Sequence, residues 1–363
     1  MKRTILVFIV FLFCAFMTLS FCEVPWPTEQ WPRSTPVEQN LDPDLLNELV
    51  ESIREGNEFP NLHSLLIVRN GYLVVEEYFS GYKAEDIHML QSVSKSFTSA
   101  LVGIAVGQGK IKGVDEEILD FFPDIKDIQN MDDRKASITL KDLLTMRSGT
   151  DYHERGPGSP HYQLNALHTG WDIFYLNRPM VSEPGTRFQY DSGGVILMSS
   201  LLKRRTGMHA DEFARKHLFP PLGIEKLRWF ENKEGHPHTG GGMHLRPLDM
   251  AKFGLLYLRD GKWGGRQIVP AWWVRESFKK HVTLNQRGSW TIGYGYLWWI
   301  QSPDPEGSKK HNIYAARGAY GQFIFVIPEH DMVVVVTGRT RSGSQFRSPI
   351  DFLYSHILPA VNH

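Results

Sequence analysis

Cysteine is almost absent from this chain of 363 residues. Its two cysteines, Cys14 and Cys22, both lie close to the N-terminus. The body that follows them therefore contains neither a disulfide nor a thiol nucleophile, which removes the thiol-dependent enzymes from consideration.

An excess of one charge is also missing, because 40 basic residues balance 40 acidic ones. No long block of one sign occurs, so nothing favours nucleic acid or an acidic membrane surface as a partner. The chain has no Gly-x-Ser-x-Gly motif, which argues against an α/β-hydrolase. It has no phosphate loop or dinucleotide fingerprint either, and therefore no cofactor is implied.

The N-terminus has the pattern of an export signal. Lys2 and Arg3 precede an apolar run from residue 5 to about residue 21, and Glu23 ends that run. This arrangement predicts a signal peptide or N-terminal anchor over residues 1–22. We expect an exported protein, periplasmic or extracellular, whose only membrane attachment would be through these residues. Cleavage, lipidation and retention of the leader stay open alternatives.

The body has strands at both ends and helices between them. A proline-rich stretch over 23–44 predicts an extended lead-in, and "DLLNELVESIREG" has the apolar spacing of a helix. Asn70-Gly71 lies between two β-rich runs and predicts a hairpin. Strands return in "YGYLWWI", "YAARGAYGQFIFVIP" and "MVVVVTGRT". We expect an α+β fold, in which N- and C-terminal strands form one antiparallel sheet and a mostly helical lobe is inserted at about 125–238.

Ser92 and Lys95 stand three residues apart in "QSVSKSFTSALVGIAVGQGK". Fourteen uncharged residues follow Lys95, so the predicted helix is largely buried and Lys95 is its only cation before Lys110. Ser92 is expected to open this helix, whose apolar stripe is formed by Phe97, Ala100, Leu101 and Ile104. Residues at i and i+3 share a helix face, and a helix N-terminus favours negative charge on Ser92. Burial disfavours the charged form of a lysine, which brings it toward use as a base. The competing interpretation is an N-cap serine followed by a lysine that reaches water.

Three other serines are followed by a lysine at the same spacing, namely Ser80, Ser200 and Ser277. Each of these pairs lies in a loop or at the polar end of a helix, where lysine is simply solvated. Ser92 is therefore the one candidate nucleophile among them.

Three motifs in order resemble the serine hydrolases of the β-lactamase and penicillin-binding-protein type, in particular the branch of class C β-lactamases, D-aminopeptidases and carboxylesterases. The first motif is Ser92-Val-Ser-Lys95. The second, "EPGTRFQYDSGG", places Tyr190 at the tyrosine and Ser192 at the asparagine of the family pattern. The third, "ARGAYGQFIFVIP", aligns Ala316, Arg317 and Gly318 with the family's Lys-Thr-Gly strand. The similarity covers about residues 34 to 358, and implies one hydrolase domain over 45–363.

The resemblance implies a role for each matching residue. Ser92 would attack a carbonyl and form an acyl-enzyme, Lys95 would take or relay its proton, and Tyr190 would act as partner base and acid. Backbone N–H groups of Ser92 and Ala319 would hold the oxyanion. Which of Lys95 and Tyr190 is the starting base is not determined, since the two groups titrate as one unit.

The departures from the family pattern bear on the substrate. Ala316 replaces the lysine that helps to bind a substrate carboxylate, and Arg317 supplies a cation of different geometry. Ser192 lacks the amide of asparagine. The expected oxyanion and substrate-binding residues are Ser192, Arg317, Gly318 and Ala319. The departures from the family pattern favour an esterase or amidase that accepts a less charged acyl group.

Two further clusters are candidates for a functional site, but we prefer a structural role for each. An acyl pocket could be lined by four aromatic side chains, namely Trp290, Tyr294, Trp298 and Trp299. Packing in the core is their expected role. His236, His238 and His244 lack the acidic residue usual in a metal site, and their glycine-rich surroundings indicate a loop.

We therefore expect an exported serine hydrolase that acts on esters or simple amides, without a metal or cofactor. The alternative enzyme is a D-peptidase or β-lactamase. The alternative outside catalysis is a sensor module that binds acyl ligands without turnover.

Overall fold

The computed structural model describes residues 26–27, 29–56, 61–284, 290–302, 312–339 and 348–362. The strands in this part of the chain are β1 (Leu62–Arg69), β2 (Tyr72–Tyr78), β3 (His88–Met89), β4 (Leu227–Trp229), β5 (Met243–Leu245), β6 (Lys262–Trp263), β7 (Arg266–Gln267), β8 (Val282–Thr283), β9 (Thr291–Tyr294), β10 (Trp299–Gln301), β11 (Ile313–Gly318), β12 (Gln322–Ile327) and β13 (Met332–Gly338).

The α-helices are α1 (Pro43–Glu55), α2 (Ser94–Gly107), α3 (Asp133–Ala136), α4 (Leu140–Leu144), α5 (Pro160–Ala166), α6 (Trp171–Leu176), α7 (Ser192–Thr206), α8 (Ala210–His217), α9 (Pro247–Leu258), α10 (Ala271–Phe278) and α11 (Pro349–Phe352). A π-helical turn, Leu353–Ile357, continues α11. Short 3₁₀ turns include Gln91–Val93, directly before α2.

The largest sheet is antiparallel and joins both ends of the chain, in the order β2-β1-β13-β12-β11-β10-β9-β8. The predicted hairpin is present, since β1 and β2 are connected by Asn70 and Gly71, both at positive φ. Its first strand then pairs with β13 near the C-terminus, from Leu62 opposite Gly338 to Arg69 opposite Met332. The expected α+β architecture is confirmed.

The helices α3 to α8 lie between the two halves of this sheet in sequence, within the segment expected to be a helical lobe. That segment also contains β4, which pairs with β5 and, through it, with β3 just before Ser92. This small sheet connects the segment to the turn that carries the candidate nucleophile. The lobe boundaries themselves remain a prediction.

Each face of the main sheet supports an apolar layer. Along β13, Val333 and Val335 face the layer built with α2, α7 and α9, whereas Val334 and Val336 face a second layer that includes α1 and the C-terminal helix. This alternation follows from the period-two geometry of a strand. The four valines are all buried, so β13 is a central strand covered on both sides.

The lead-in is less extended than expected, because a 3₁₀ turn forms at Val37–Gln39 and α1 begins at Pro43, where the side chain of Asp42 caps the helix. The predicted leader, residues 1–22, lies outside the described residues. Within the described ranges no helix is long and apolar enough to cross a membrane.

Candidate active site

Ser92 and Lys95 are in direct contact. The Lys95 Nζ donates a hydrogen bond of 2.8 Å to the Ser92 Oγ, and the lysine side chain is buried, with 1% of its surface exposed. No carboxylate in the described parts of the chain lies within ion-pair distance of Nζ. An amine held this way, without a counter-ion, can exchange a proton with the serine hydroxyl, which is the requirement for activating a serine nucleophile.

The position of Ser92 differs from the expectation that it opens the helix. It lies in the 3₁₀ turn Gln91–Val93, and α2 begins at Ser94. Gln91 has a φ of 52°, so the chain turns sharply just before the serine and enters the helix through this tighter turn. The following helix is buried on nearly all sides, not along one stripe, since every residue from Ser94 to Ala105 is buried.

A second acceptor fixes the lysine. Nζ donates 2.6 Å to the backbone oxygen of Gly240, a residue 145 positions further along the chain. The preceding residue, Thr239, holds this loop in place, because its hydroxyl donates 2.6 Å to the Val195 oxygen and its own oxygen accepts 3.0 Å from the Thr98 hydroxyl. Sequence reasoning missed Gly240. The only signal was the run of three glycines, which marks a loop where backbone groups can approach closely.

His238 supports the same loop from within the core. Its Nε2 lies 2.8 Å from the Asn165 Oδ1, and its ring meets that of Trp171 edge-on at 5.5 Å. Burial lowers the pKa of His238 to about 4, and the positive charge of Lys95 adds to that effect. His238 is therefore neutral at physiological pH and serves as a hydrogen-bonding support.

Tyr190 lies two residues before the start of α7, with its ring close to the lysine. The distance from the Lys95 Nζ to the ring centroid is 5.0 Å. Asp191 determines this placement, since its Oδ1 caps α7 by accepting 2.9 Å from the Gly194 N–H. Its other oxygen accepts hydrogen bonds from Tyr175 and Ser148, and burial raises the pKa of Asp191 to about 6. The structure thus places the Tyr190 ring beside Lys95, while among the described residues no hydrogen bond joins the Tyr190 hydroxyl to Ser92 or Lys95.

Ser192 follows at the first position of α7 and is buried. Its hydroxyl donates to the Glu154 Oε1, not to Lys95 or Ser92. Glu154 was not singled out in the sequence, because an isolated glutamate in a loop carries no distinguishing pattern. A role for Ser192 in binding substrate remains a prediction.

The third motif forms the end of β11. Ala316 is fully buried and Ala319 begins the turn to β12. A Cβ on Gly318 would lie 2.3 Å from the Leu90 backbone oxygen, so glycine allows β11 to approach the turn that carries Ser92. Ala319 is the next residue, so its N–H lies near the point where β11 approaches this turn. The role of that N–H in holding an oxyanion remains a prediction.

Arg317 packs against aromatic rings. Its guanidinium lies 4.9 Å from the Trp299 ring and 5.8 Å from the Phe323 ring, and its Nη1 donates 2.9 Å to the Thr291 hydroxyl. Burial lowers the pKa of Arg317, although the nearby phenols of Tyr190, Tyr294 and Tyr354 act in the opposite direction. Substrate contact by Arg317 remains a prediction.

Of the four aromatic residues considered for an acyl pocket, one contacts the candidate active site and the others pack elsewhere. Trp298 and Tyr294 are buried in the core, and Trp290 stacks on Tyr354 with ring centroids 3.6 Å apart. Trp299 is different, because it is half-buried and stacks on Tyr190 at 5.5 Å. Sequence reasoning did not separate these four residues, since they all lie within ten positions of one another.

The three histidines considered as metal ligands have separate environments. His238 contacts Asn165, His236 meets His209 at 5.1 Å, and His244 contacts the Gly242 oxygen. Across the ranges that the structure describes, no three metal-ligating side chains form a group that could hold an ion.

A buried Ser–Lys pair beside the end of an interior strand of an antiparallel sheet, with a helical segment next to it, defines a class of serine hydrolase with an α+β fold. Known proteins identify the family within that class. A sequence model of the Beta-lactamase family matches residues 47–352, and the chain belongs to this family. The resemblance to this family is therefore confirmed, and the chain is a serine hydrolase of the β-lactamase type.

Individual relatives are distant. A 6-aminohexanoate-dimer hydrolase of Paenarthrobacter ureafaciens is 23% identical over 325 residues, covering 83% of this chain and 79% of that protein. Among solved structures, EstCE1, a hydrolase with promiscuous acyltransferase activity, has a TM-score of 0.71 at 18% identity and covers 88% of this chain and 98% of its own. The D-amino acid amidase of Ochrobactrum anthropi SV3 has a TM-score of 0.67 at 17% identity, with the same coverage. The two structures support the fold alone.

Proposed function

We propose that the protein hydrolyses esters or simple amides through an acyl-enzyme on Ser92. The observation that carries this proposal is the 2.8 Å hydrogen bond between the Ser92 Oγ and a buried Lys95 that has no carboxylate partner in the described residues. Burying an amine without a counter-ion costs free energy. Lys135, which is equally buried, donates among the described residues only to the backbone oxygens of Gln129 and Leu176, whereas Lys95 also contacts a serine hydroxyl.

The reaction proceeds in two acyl transfers. The Ser92 Oγ attacks the carbonyl carbon and its proton passes to the Lys95–Tyr190 unit, which delivers a proton to the leaving alcohol or amine as the scissile bond breaks. A water molecule then attacks the ester of Ser92, and the proton it loses returns to the serine oxygen. Backbone N–H groups of Ser92 and Ala319 stabilise the oxyanion in both steps.

The surroundings of the serine favour an uncharged acyl group. Ala316 brings no charge to the third motif, and the guanidinium of Arg317 is engaged with Trp299, Phe323 and Thr291. The similar proteins, a 6-aminohexanoate-dimer hydrolase, a D-amino acid amidase and a hydrolase with promiscuous acyltransferase activity, support ester or amide chemistry as the proposal. A D-peptidase or β-lactamase is the alternative enzyme, and an acyl-binding sensor is the alternative without turnover.

Intact mass spectrometry distinguishes these functions. The protein is mixed with p-nitrophenyl esters, D-amino acid amides or β-lactams, and the mass shift and the released product are followed together. We expect a transient acyl adduct on Ser92 and continued product release with esters. The variant Ser92→Ala should lose both the adduct and the turnover while keeping the melting temperature.

Each other result has a definite meaning. Turnover in Ser92→Ala at the rate of the native protein would refute the mechanism. One equivalent of product followed by a stable adduct would identify a sensor, and faster turnover of D-amides or β-lactams would replace the substrate class.

We also propose that residues 1–22 direct export. The charged start and the apolar run support this proposal. Expression of the full chain with a C-terminal tag in a bacterial host, followed by cell fractionation and N-terminal sequencing, tests it. A tagged protein that stays in the cytoplasm with Met1 in place would contradict it.

A further inference from the structure

Four groups beside the nucleophile form one continuous stack. The Lys95 Nζ lies 5.0 Å from the centroid of the Tyr190 ring, which lies 5.5 Å from the Trp299 ring at an interplanar angle of 21°. The Arg317 guanidinium lies 4.9 Å from the same Trp299 ring. The lysine amine and the guanidinium are thus connected through two stacked aromatic rings, and each group contacts the next.

The main sheet determines the position of the tryptophan. Trp299 pairs with Ala315 of β11, and Arg317 lies two residues further along that strand, on the same face. Tyr294, directly opposite on β9, meets Trp299 edge-on at 4.9 Å and 82°. The indole is therefore held by residues of both neighbouring strands.

Arg317 is held in turn by neutral groups. The Thr291 hydroxyl accepts its hydrogen bond, and Phe323, its cross-strand partner on β12, lies beneath the guanidinium. No carboxylate in the described ranges forms an ion pair with it. Burying a guanidinium without a carboxylate lowers its pKa, and the contacts with Trp299 and Phe323 together with the hydrogen bond to Thr291 offset part of that cost.

The same strand reaches the nucleophile. Gly318, the next residue after Arg317, is pressed against the Leu90 oxygen in the turn that leads to Ser92. One short segment of β11 thus contacts the serine turn through residue 318 and the tyrosine through residue 317 and Trp299. The stack can therefore determine where the Tyr190 ring lies relative to the serine turn.

We propose that Trp299 and Arg317 are positioning residues that hold Tyr190 beside Lys95, and that the charge of Arg317 supports proton transfer by the phenol. This inference rests on the proposed role of Tyr190. It assigns Arg317 to the acid–base machinery instead of to substrate binding.

The test compares four variants with Tyr190→Phe and a tryptophan control. Trp299→Leu removes the stack and Trp299→Phe keeps a smaller ring; Arg317→Met removes the charge and Arg317→Lys keeps it. Trp290→Leu is the matched control, because Trp290 stacks on Tyr354 and has no contact with Tyr190 in the described residues. The values of kcat and KM for a p-nitrophenyl ester are measured from pH 5 to 10, and melting temperatures are recorded.

We expect Trp299→Leu to lower kcat by at least about tenfold with little change in KM, because misplacing an acid–base group affects the chemical step. Trp299→Phe should recover part of this loss. Arg317→Met should lower kcat and move the ascending limb of the pH profile to higher pH, because a lost positive charge disfavours a phenolate. Arg317→Lys should leave that limb near its native position.

The outcomes separate this inference from the proposed function. If Tyr190→Phe loses activity while Trp299→Leu, Trp299→Phe and Arg317→Met keep the native kcat and pH profile, the positioning role is wrong and the serine mechanism stands. If Tyr190→Phe has native activity, the tyrosine role fails and the inference fails with it. An equal loss of kcat in Trp290→Leu would show a general packing effect and overturn the proposal. If Trp299→Leu does not fold, the kcat values and pH profiles of Trp299→Phe, Arg317→Met and Arg317→Lys decide whether the positioning role is correct.

Discussion

Replacing Gly318 by alanine tests whether the approach of β11 to the nucleophile turn is required for activity. The added Cβ would lie 2.3 Å from the Leu90 backbone oxygen and 3.0 Å from the Gln91 Cβ. Contacts of a Cβ below 3.0 Å essentially do not occur, so the strand and the turn must separate by at least about 0.7 Å. Neither side can give way by a side-chain rotation, because the closest atom belongs to the backbone.

The expected loss follows from this displacement. A misplacement of about 1 Å in a catalytic site can reduce the rate by about a hundredfold, so Gly318→Ala should lower kcat/KM by roughly tenfold to a hundredfold. Overpacking in a tight contact costs about 1–3 kcal/mol of stability. Purified protein is assayed with a p-nitrophenyl ester, and the free energy of unfolding is measured by denaturant titration.

Gly113→Ala provides the control, because a Cβ at Gly113 has no neighbour within 4 Å. This variant should keep the native activity and stability. If Gly318→Ala keeps kcat/KM within about twofold of the native value, the close approach of β11 is not needed and the reasoning fails. A comparable loss in Gly113→Ala would show that the measured effect is not specific to the site.

Three further predictions concern the site and the fold. Lys95→Ala and Tyr190→Phe should each lower kcat by at least about a hundredfold, since general acid–base catalysis contributes 10²–10⁴; kcat values near normal in both would remove these residues from the mechanism. His63 and His88 are buried in contact, and burial lowers the pKa of each to about 4. The unfolded chain, with histidine pKa values near 6.5, binds more protons between about pH 6.5 and pH 4, so stability should fall as the pH falls through that window, by up to about 1.4 kcal/mol per pH unit for each group. Denaturant titrations of His88→Leu should show a shallower dependence, and an unchanged slope would contradict this assignment. Chromogenic cephalosporins should be poor substrates; hydrolysis of one faster than of a short-chain ester would reverse the order of substrates proposed above.

Much of the fold was accessible from local patterns. Asn70-Gly71 specifies a tight hairpin because both residues tolerate positive φ, and the runs that became β11, β12 and β13 have the composition of buried strands. The start of α2 was placed too early, because the sequence has no signal for the left-handed conformation of Gln91, a residue that rarely adopts it.

The sequence by itself determined which residues are candidates for the nucleophile and for the proton-transferring groups. These are a serine and a lysine at helical spacing in an uncharged segment, and a tyrosine before a glycine-rich helix start. Spacing sufficed because Ser92 and Lys95 are neighbours within one turn of backbone. Only the tertiary structure decided what surrounds them, namely the Gly240 oxygen on Lys95, the Trp299–Arg317 stack on Tyr190 and the Glu154 carboxylate on Ser192. These contacts join segments tens to more than a hundred residues apart, and their geometry depends on how the sheet, the helices and the loops pack, which no local pattern encodes.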